Sequence, residues 1–265
     1  PDPPEVRTLL LDFTTIEEAA ETVSAVIAAG IVPAALELMD QQVVRAVEPF
    51  AKAGYPLDAA AVLIVELDGL PAGVSREVEA VAAIARECGA RTVRIAADEG
   101  ERARIWKGRK GAFGAIANIK PSYYLHDTVI PRTRLAEVVT GVNAIAERHG
   151  LIVMNVFHAG DGNLHPLLVF DHREPGVMER VLAAGEEIVR LSVEVGGVLS
   201  GEHGIGLEKR RFMPLLFSEE DLVAQRVLRD AFDPDGVANP HKVLPSGSSC
   251  GDVQGLPEIP EGVWV

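Results

Sequence analysis

The stretch Leu151-Ile-Val-Met-Asn-Val-Phe157-His158-Ala-Gly-Asp-Gly162-Asn163-Leu-His165-Pro-Leu-Leu-Val-Phe170 decides the architecture. Two apolar runs, Leu151–Phe157 and Asn163–Phe170, flank Ala-Gly-Asp-Gly, and an Asp-Gly turn between such runs is the strongest short-range hairpin signal. Upstream of it strands and helices interleave. Val6–Phe13 reads as a strand. Thr15 and Glu18 then form a capping box for a helix whose apolar residues Ile16, Ala19, Ala20, Val23, Val26 and Ile27 recur at helical spacing until Gly30. The alternation continues with a strand near Ala34–Met39, a helix near Gln41–Ala53, a strand near Ala60–Leu67, a helix near Ser75–Cys88 and a strand at Thr92–Ala96. Glu99–Asn118 is helical in character but interrupted by Gly108, Gly111 and Gly114. Tyr123–Ile130 reads as a strand stopped by Pro131, and Leu135–Arg148 as a helix. Beyond the hairpin come helices near Pro175–Val195, Glu208–Phe217 and Ser218–Phe232. A hairpin amid strand–helix units excludes a purely parallel sheet. It predicts an α+β fold: a largely antiparallel sheet, ferredoxin-like in connectivity, with helices packed on one face, plus C-terminal helices. The predicted domain spans 1–245; residues 246–265, short on core residues, read as a flexible tail in which Trp264 has no functional role.

Composition limits the function. The 265 residues carry 25 basic and 39 acidic side chains, a net charge of −14, which excludes a nucleic-acid binder that must neutralise phosphates with clustered Lys and Arg. With 48% hydrophobic and 24% charged residues the chain can bury a large core, so disorder is excluded for its bulk. Cys88 and Cys250, the only cysteines, give neither a disulfide framework nor a CxxC pair and suit a reducing, cytoplasmic location, peripheral to a membrane at most. No apolar stretch approaches the ~20 residues of a membrane span. The chain begins at Pro1 rather than Met, so it is expected to be a piece of something longer.

Four segments could carry chemistry. In the hairpin, His158 and His165 flank one tight turn, so their rings can reach a common point as a pair of metal ligands; Asp161 between them is sufficiently explained by the turn. The second segment, Gly196-Gly-Val-Leu-Ser-Gly201-Glu202-His203-Gly-Ile-Gly206, has five glycines in eleven residues, so backbone turns sharply or approaches something closely at Glu202-His203. Its spacing matches neither a dinucleotide fingerprint nor a Walker loop. Two imidazoles and one carboxylate on a divalent cation leave a coordination position open, as in catalytic sites, and His203 becomes a candidate general base. Third, Trp106-Lys-Gly-Arg109-Lys-Gly-Ala-Phe-Gly114 is a basic cluster in an acidic chain: Arg109 either forks onto an anion such as a carboxylate or is one of several exposed helix charges. Fourth, Asp233–Lys242 is a proline-bracketed loop whose Asn239 could present its amide to a ligand.

Taken in order, Trp106–Phe113, Tyr123-Tyr-Leu-His-Asp127 with Pro131-Arg132, His158-Ala-Gly-Asp-Gly-Asn-Leu-His165-Pro, Gly201-Glu-His-Gly-Ile-Gly206, and Ala231-Phe-Asp-Pro through Asn239-Pro-His-Lys242 resemble the C-terminal half of FAD-linked 2-hydroxyacid oxidases and dehydrogenases. The resemblance is to the glycolate oxidase flavin subunit and to D-lactate dehydrogenases, within the vanillyl-alcohol-oxidase type of flavoprotein. It extends over about residues 1–245 and includes Glu37-Leu-Met-Asp40.

The resemblance implies an N-terminal FAD-binding domain that holds most of the FAD and is absent here, while this half caps the flavin and supplies the pocket for a small 2-hydroxyacid. It implies that His158, His165 and Glu202 bind a divalent metal (Zn, Mn or Fe), that His203 abstracts the substrate hydroxyl proton as hydride passes from C2 to FAD, that Arg109 holds the substrate carboxylate, and that Asn239 lies close to the flavin. An electron-acceptor subunit is a further implied partner, and the chain alone is expected not to turn over. One departure is His241, where the pattern has Gly. The competing readings are a self-standing metal-dependent hydrolase using the same His and Glu residues, and a noncatalytic ferredoxin-like interaction module.

Overall fold

Val62, Leu63, Ile64 and Val65 are all fully buried. One covered face cannot achieve this, because successive residues of a strand point to opposite sides of the sheet. The computed structural model describes residues 3–245 and shows what covers each side. The strands are β1 (Glu5–Phe13), β2 (Ala35–Asp40), β3 (Ala61–Gly69), β4 (Thr92–Ile95), β5 (Ser122–Leu125), β6 (Thr128–Val129), β7 (Ile152–His158), β8 (Asn163–Leu164) and β9 (Pro166–Phe170). The helices are α1 (Ile16–Ala28), α2 (Gln41–Ala51), α3 (Pro71–Glu87), α4 (Glu99–Lys110), α5 (Ala112–Ile116), α6 (Leu135–Arg148), α7 (Val177–Glu194) and α8 (Glu219–Phe232).

The strands run in the order β4-β1-β3-β2-β7-β8-β6, with β9 pairing β7 and β5, and these neighbours are antiparallel. The succession β1–α1–β2–β3–α3–β4, with β1 between β4 and β3, is ferredoxin-like, α2 being added between β2 and β3. The same succession follows in β6–α6–β7–β8–α7, completed by a bridge from Val198 back to Val129. The two modules meet where β2 pairs β7.

The α+β reading and the antiparallel sheet are borne out, but the expectation of helices on one face needs correction. Leu9, Leu11, Leu63, Val65 and Phe157 pack with residues of α1, α3, α6 and α7. Leu10, Val62, Ile64, Met154 and Val156 on the opposite side pack with residues of α2, α4 and α5.

Local differences have local causes. The strand expected over Tyr123–Ile130 divides into β5 and β6 at His126-Asp127, because Asp127 receives a loop rather than continuing the ladder. The helix expected over Glu208–Phe217 is a 3-10 segment, Arg210–Leu215, since Pro214 lacks the N–H a regular helix requires. Residues up to His203 form one compact unit and those from Gly204 a second. Within the second, Ser218 and Asp221 make the expected capping box, and Arg229 donates to the carbonyls of Asn239 (2.9 Å) and Lys242 (3.2 Å). The expected tail, with Cys250 and Trp264, lies outside the described residues. Among the described residues no helix is long and apolar enough to cross a membrane.

Candidate functional site

The hairpin register brings the two histidines together. His158 lies opposite Asn163 and Asn155 opposite Pro166, which puts Val156 opposite His165. His158 and His165 are therefore diagonal neighbours on one face, their ring centroids 5.3 Å apart and their planes at 84°. The turn needs Gly162: its φ is +71°, and a Cβ there would sit 2.3 Å from the Ile130 carbonyl oxygen. The second strand breaks at His165 into β8, which pairs β6, and β9, which pairs β5.

Glu202 arrives from the glycine-rich segment. Its Oε1 lies 3.2 Å from His165 Nε2 and 3.5 Å from His158 Nε2, and one ligand atom from each of the three residues falls within 4.8 Å of the others. Asn163 Nδ2 donates to the same Glu202 oxygen at 2.6 Å. A side chain on Gly201 would collide with that amide, its Cβ falling 2.7 Å from Asn163 Oδ1, so glycine permits the approach.

The donor set suits a divalent cation on grounds of hydrogen-bond chemistry. His158 Nδ1 faces Glu37 Oε1 at 2.8 Å, and His165 Nδ1 faces the His126 carbonyl at 3.3 Å. Carboxylate and carbonyl oxygens only accept, so an Nδ1 that hydrogen-bonds to them donates, and in a neutral ring of that tautomer the Nε2 lone pair points toward Glu202. Lone pairs converging on a carboxylate repel unless a proton or cation stands between them. A metal-binding histidine whose outer nitrogen is held by a carboxylate or a carbonyl is the usual second layer of such a centre. The two rings also differ electrostatically. The hydrogen bond to Glu37 holds His158 above the ordinary imidazole range, whereas burial pushes His165 below it.

Two carboxylates that sequence reasoning left without a role organise this centre. Glu37 on β2, nearly buried, uses Oε1 on His158 and Oε2 on Arg109, whose Nε and Nη2 stand 2.9 and 2.8 Å away. Its signal was a carboxylate inside the apolar strand Ala35–Asp40. Asp127, fully buried, accepts from Ser200 Oγ at 2.6 Å and from the backbone amides of Gly201 (3.1 Å), Glu202 (3.2 Å) and His203 (3.0 Å). Its signal was an acid within the expected strand Tyr123–Ile130. Asp40 caps α2 through Val43 N at 2.9 Å and accepts from Asn155 N at 2.7 Å; burial raises its pKa from 3.8 to about 6.

Of the residues singled out in the sequence, His158, His165 and Glu202 converge. His203 joins them by stacking on His165, with centroids 5.5 Å apart at 25°. Arg109 is buried rather than an exposed helix charge and is linked to the cluster through Glu37. Asn239 belongs to the second unit, at φ +50°, where its side-chain oxygen accepts from Lys242 Nζ at 3.0 Å.

Comparison with known proteins follows the same lines. The family described as FAD linked oxidases, C-terminal domain, matches residues 2–243. Glycolate oxidase subunit GlcD of Escherichia coli K12 is 46% identical over 252 residues, covering 95% of this chain and 50% of that protein. The GlcD subunit of Bacillus subtilis is 39% identical over 244 residues, covering 92% and 52%, and a probable mitochondrial D-lactate dehydrogenase of Danio rerio is 27% identical, covering 91% and 49%. The chain thus spans about half the length of these relatives. Among solved structures, p-cresol methylhydroxylase with substrate bound superposes with a TM-score of 0.71 at 13% identity, covering 94% of this chain and 55% of that one. The 4-ethylphenol oxidase of Gulosibacter chungangensis superposes with a TM-score of 0.68 at 16% identity, covering 93% and 55%; both show a shared fold.

Proposed function

The chain belongs to the family of FAD-linked oxidase C-terminal domains, and we propose that it is the substrate- and metal-binding half of a flavin-dependent 2-hydroxyacid oxidase or dehydrogenase acting on glycolate or D-lactate. The observation that carries this reading is the convergence of His158 Nε2, His165 Nε2 and Glu202 Oε1, with both outer imidazole nitrogens turned to acceptors. When bound, a divalent cation would polarise the substrate hydroxyl as a Lewis acid, and FAD would accept the hydride, which carries both electrons, from the carbinol carbon.

The residues divide the remaining work. His158, His165 and Glu202 hold the cation. His203, outside that donor cluster but stacked on one of its rings, takes the hydroxyl proton as general base. Arg109 has five N–H donors, and those not engaged by Glu37 orient the substrate carboxylate. Glu37 thereby ties the orientation of Arg109 to that of His158. Asn239 is assigned to the flavin contact. FAD would be held mostly by an N-terminal half of the kind implied by the relatives' greater length, and reoxidised by an acceptor subunit or redox protein.

The test is co-expression with a flavin-binding half. The assembled protein should bleach its flavin under glycolate or D-lactate, require Zn, Mn or Fe after chelation, and lose that requirement's saturability in His158→Ala. Flavin reduction undiminished by chelation and by His158→Ala would overturn the metal assignment, and no reduction by any 2-hydroxyacid would overturn the substrate class.

A further inference from the structure

We infer that Asp127 is the positioning residue for the Glu202–His203 pair, an inference that rests on the metal-site reading above and adds a residue to it. Four consecutive residues, Ser200 to His203, donate to this one carboxylate. Three successive backbone N–H groups converging on an anion wrap the chain around it, as in the concave amide nests that bind free anions. Here the anion is a side chain of the protein itself.

The arrangement answers a specific difficulty. The segment from Gly196 to Gly206 is too rich in glycine to hold a conformation through its own side chains. Yet Glu202 must point at the two histidines, and His203, the next residue, must lie over the His165 ring. Fixing the amides on both sides of the Glu202 α-carbon fixes the direction in which its side chain leaves the backbone, and the same holds for the start of His203. Asp127 is fully buried, so it acts on the centre through the loop rather than by meeting substrate.

Its place in the strand adds a second link. The carbonyl of His126 faces His165 Nδ1 at 3.3 Å, and the amide of His126 donates to Pro166 O at 3.1 Å. One peptide unit earlier the chain orients His165, and at Asp127 it orients Glu202 and His203. The interruption between β5 and β6 thus registers the hairpin ligands against the loop ligand. An Asn at 127 would keep the shape but replace one acceptor oxygen with an NH2 group facing N–H donors, so the loop could not close on it.

The experiment uses the full chain, Mn2+ or Zn2+ alone as the probe, and the variants Asp127→Asn, Glu202→Gln and their combination. Asp127→Asn should weaken Mn2+ binding by about 10-fold or more. If it acts through Glu202, the double variant should bind within about 2-fold of Glu202→Gln alone; additive losses would mean a merely structural role and overturn the inference. Hydrogen exchange gives an independent readout. The amides of Gly201, Glu202 and His203 should be protected in the parent chain and exchange about 100-fold faster or more in Asp127→Asn, with β1 and β3 unchanged. Equal exchange would overturn the proposal. Should the parent chain bind neither metal, the metal-site reading fails, while exchange still decides whether Asp127 holds the loop. If Asp127→Asn does not fold, Ser200→Ala serves in its place: loss of one donor should weaken Mn2+ binding about 3-fold, again without adding to Glu202→Gln, and an unchanged affinity counts against the cradle.

Discussion

Glu37 and His158 are paired across neighbouring strands 121 residues apart in sequence, Oε1 to Nδ1 at 2.8 Å, while the other oxygen of the same carboxylate holds Arg109. One side chain therefore sets the tautomer of a candidate ligand and balances a buried guanidinium. The two duties separate under substitution.

In Glu37→Gln, His158 loses the hydrogen bond that holds its pKa up, so in the metal-stripped protein its titration should move down relative to the parent. Arg109 and Glu37 side chains are 9% and 8% exposed, so the same change leaves a buried cation without its partner. The expected cost is about 3 kcal/mol or more of folding stability. Histidine-resolved NMR titration and chemical denaturation read the two effects separately. A His158 titration unmoved by the substitution would disprove the assigned role of Glu37.

Asp40 predicts a pH dependence. Its carboxyl is raised from 3.8 to about 6 by burial, against the pull of the Val43 and Asn155 amides. The folded state then binds the proton more tightly than the unfolded state. The stability this contributes is fully present below the unfolded value and is lost as pH rises through about 6. Relative to Asp40→Asn, the parent protein should gain up to about 3 kcal/mol between pH 7 and pH 4. Parallel denaturation series of the two proteins supply the difference; a gap constant with pH would show that Asp40 titrates normally.

His241 stands at φ +65°, the left-handed region, where the sequence pattern has Gly. An ordinary side chain costs roughly 1–2 kcal/mol there, partly offset by the extra backbone freedom Gly has when unfolded. His241→Gly should stabilise the protein by about 0.5–1 kcal/mol. The Arg210 Nη1 bond to the carbonyl of residue 241, at 2.6 Å, does not depend on the side chain and should persist. Thermal unfolding at constant pH checks this, and a lowered midpoint would mean the imidazole makes a contact worth more than the strain.

How much of this was legible in the sequence follows from how far each signal reaches along the chain. The His158/His165 pair could be read because an Asp-Gly turn fixes both residues within one hairpin. Glu202-His203 stood out through glycine density alone. Glu37 and Asp127 could be seen but not assigned, because their partners come from a neighbouring strand 121 residues away and from a loop about 75 residues away. No periodicity spans such distances. The two-sided cover of the sheet was in principle readable: Ala61–Val65 is an unbroken apolar run, whereas a strand with one wet face alternates. The hairpin at Asp161-Gly162 points the other way, because antiparallel sheets commonly keep one face in water. In the same way Pro214 already argued against a regular helix over Glu208–Phe217.

His203 offers the sharpest separation of binding from chemistry. It lies against His165 but outside the cluster of His158, His165 and Glu202 donor atoms. Replacing it with Gln keeps a polar group of similar reach and removes the imidazole nitrogen that would take the proton. Cation affinity should therefore stay within about 3-fold of the parent, since no donor is lost. In the protein assembled with its flavin-binding half, kcat should fall by about 100-fold or more, the usual contribution of a positioned general base. His165→Gln should show the opposite order of effects, with cation affinity falling first and activity recovering at high Mn2+. Calorimetric titration of Mn2+ and steady-state turnover on the same preparations distinguish the two variants. If His203→Gln lost cation affinity as severely as His165→Gln, His203 would be a ligand, and the proton would have to leave the substrate by another route.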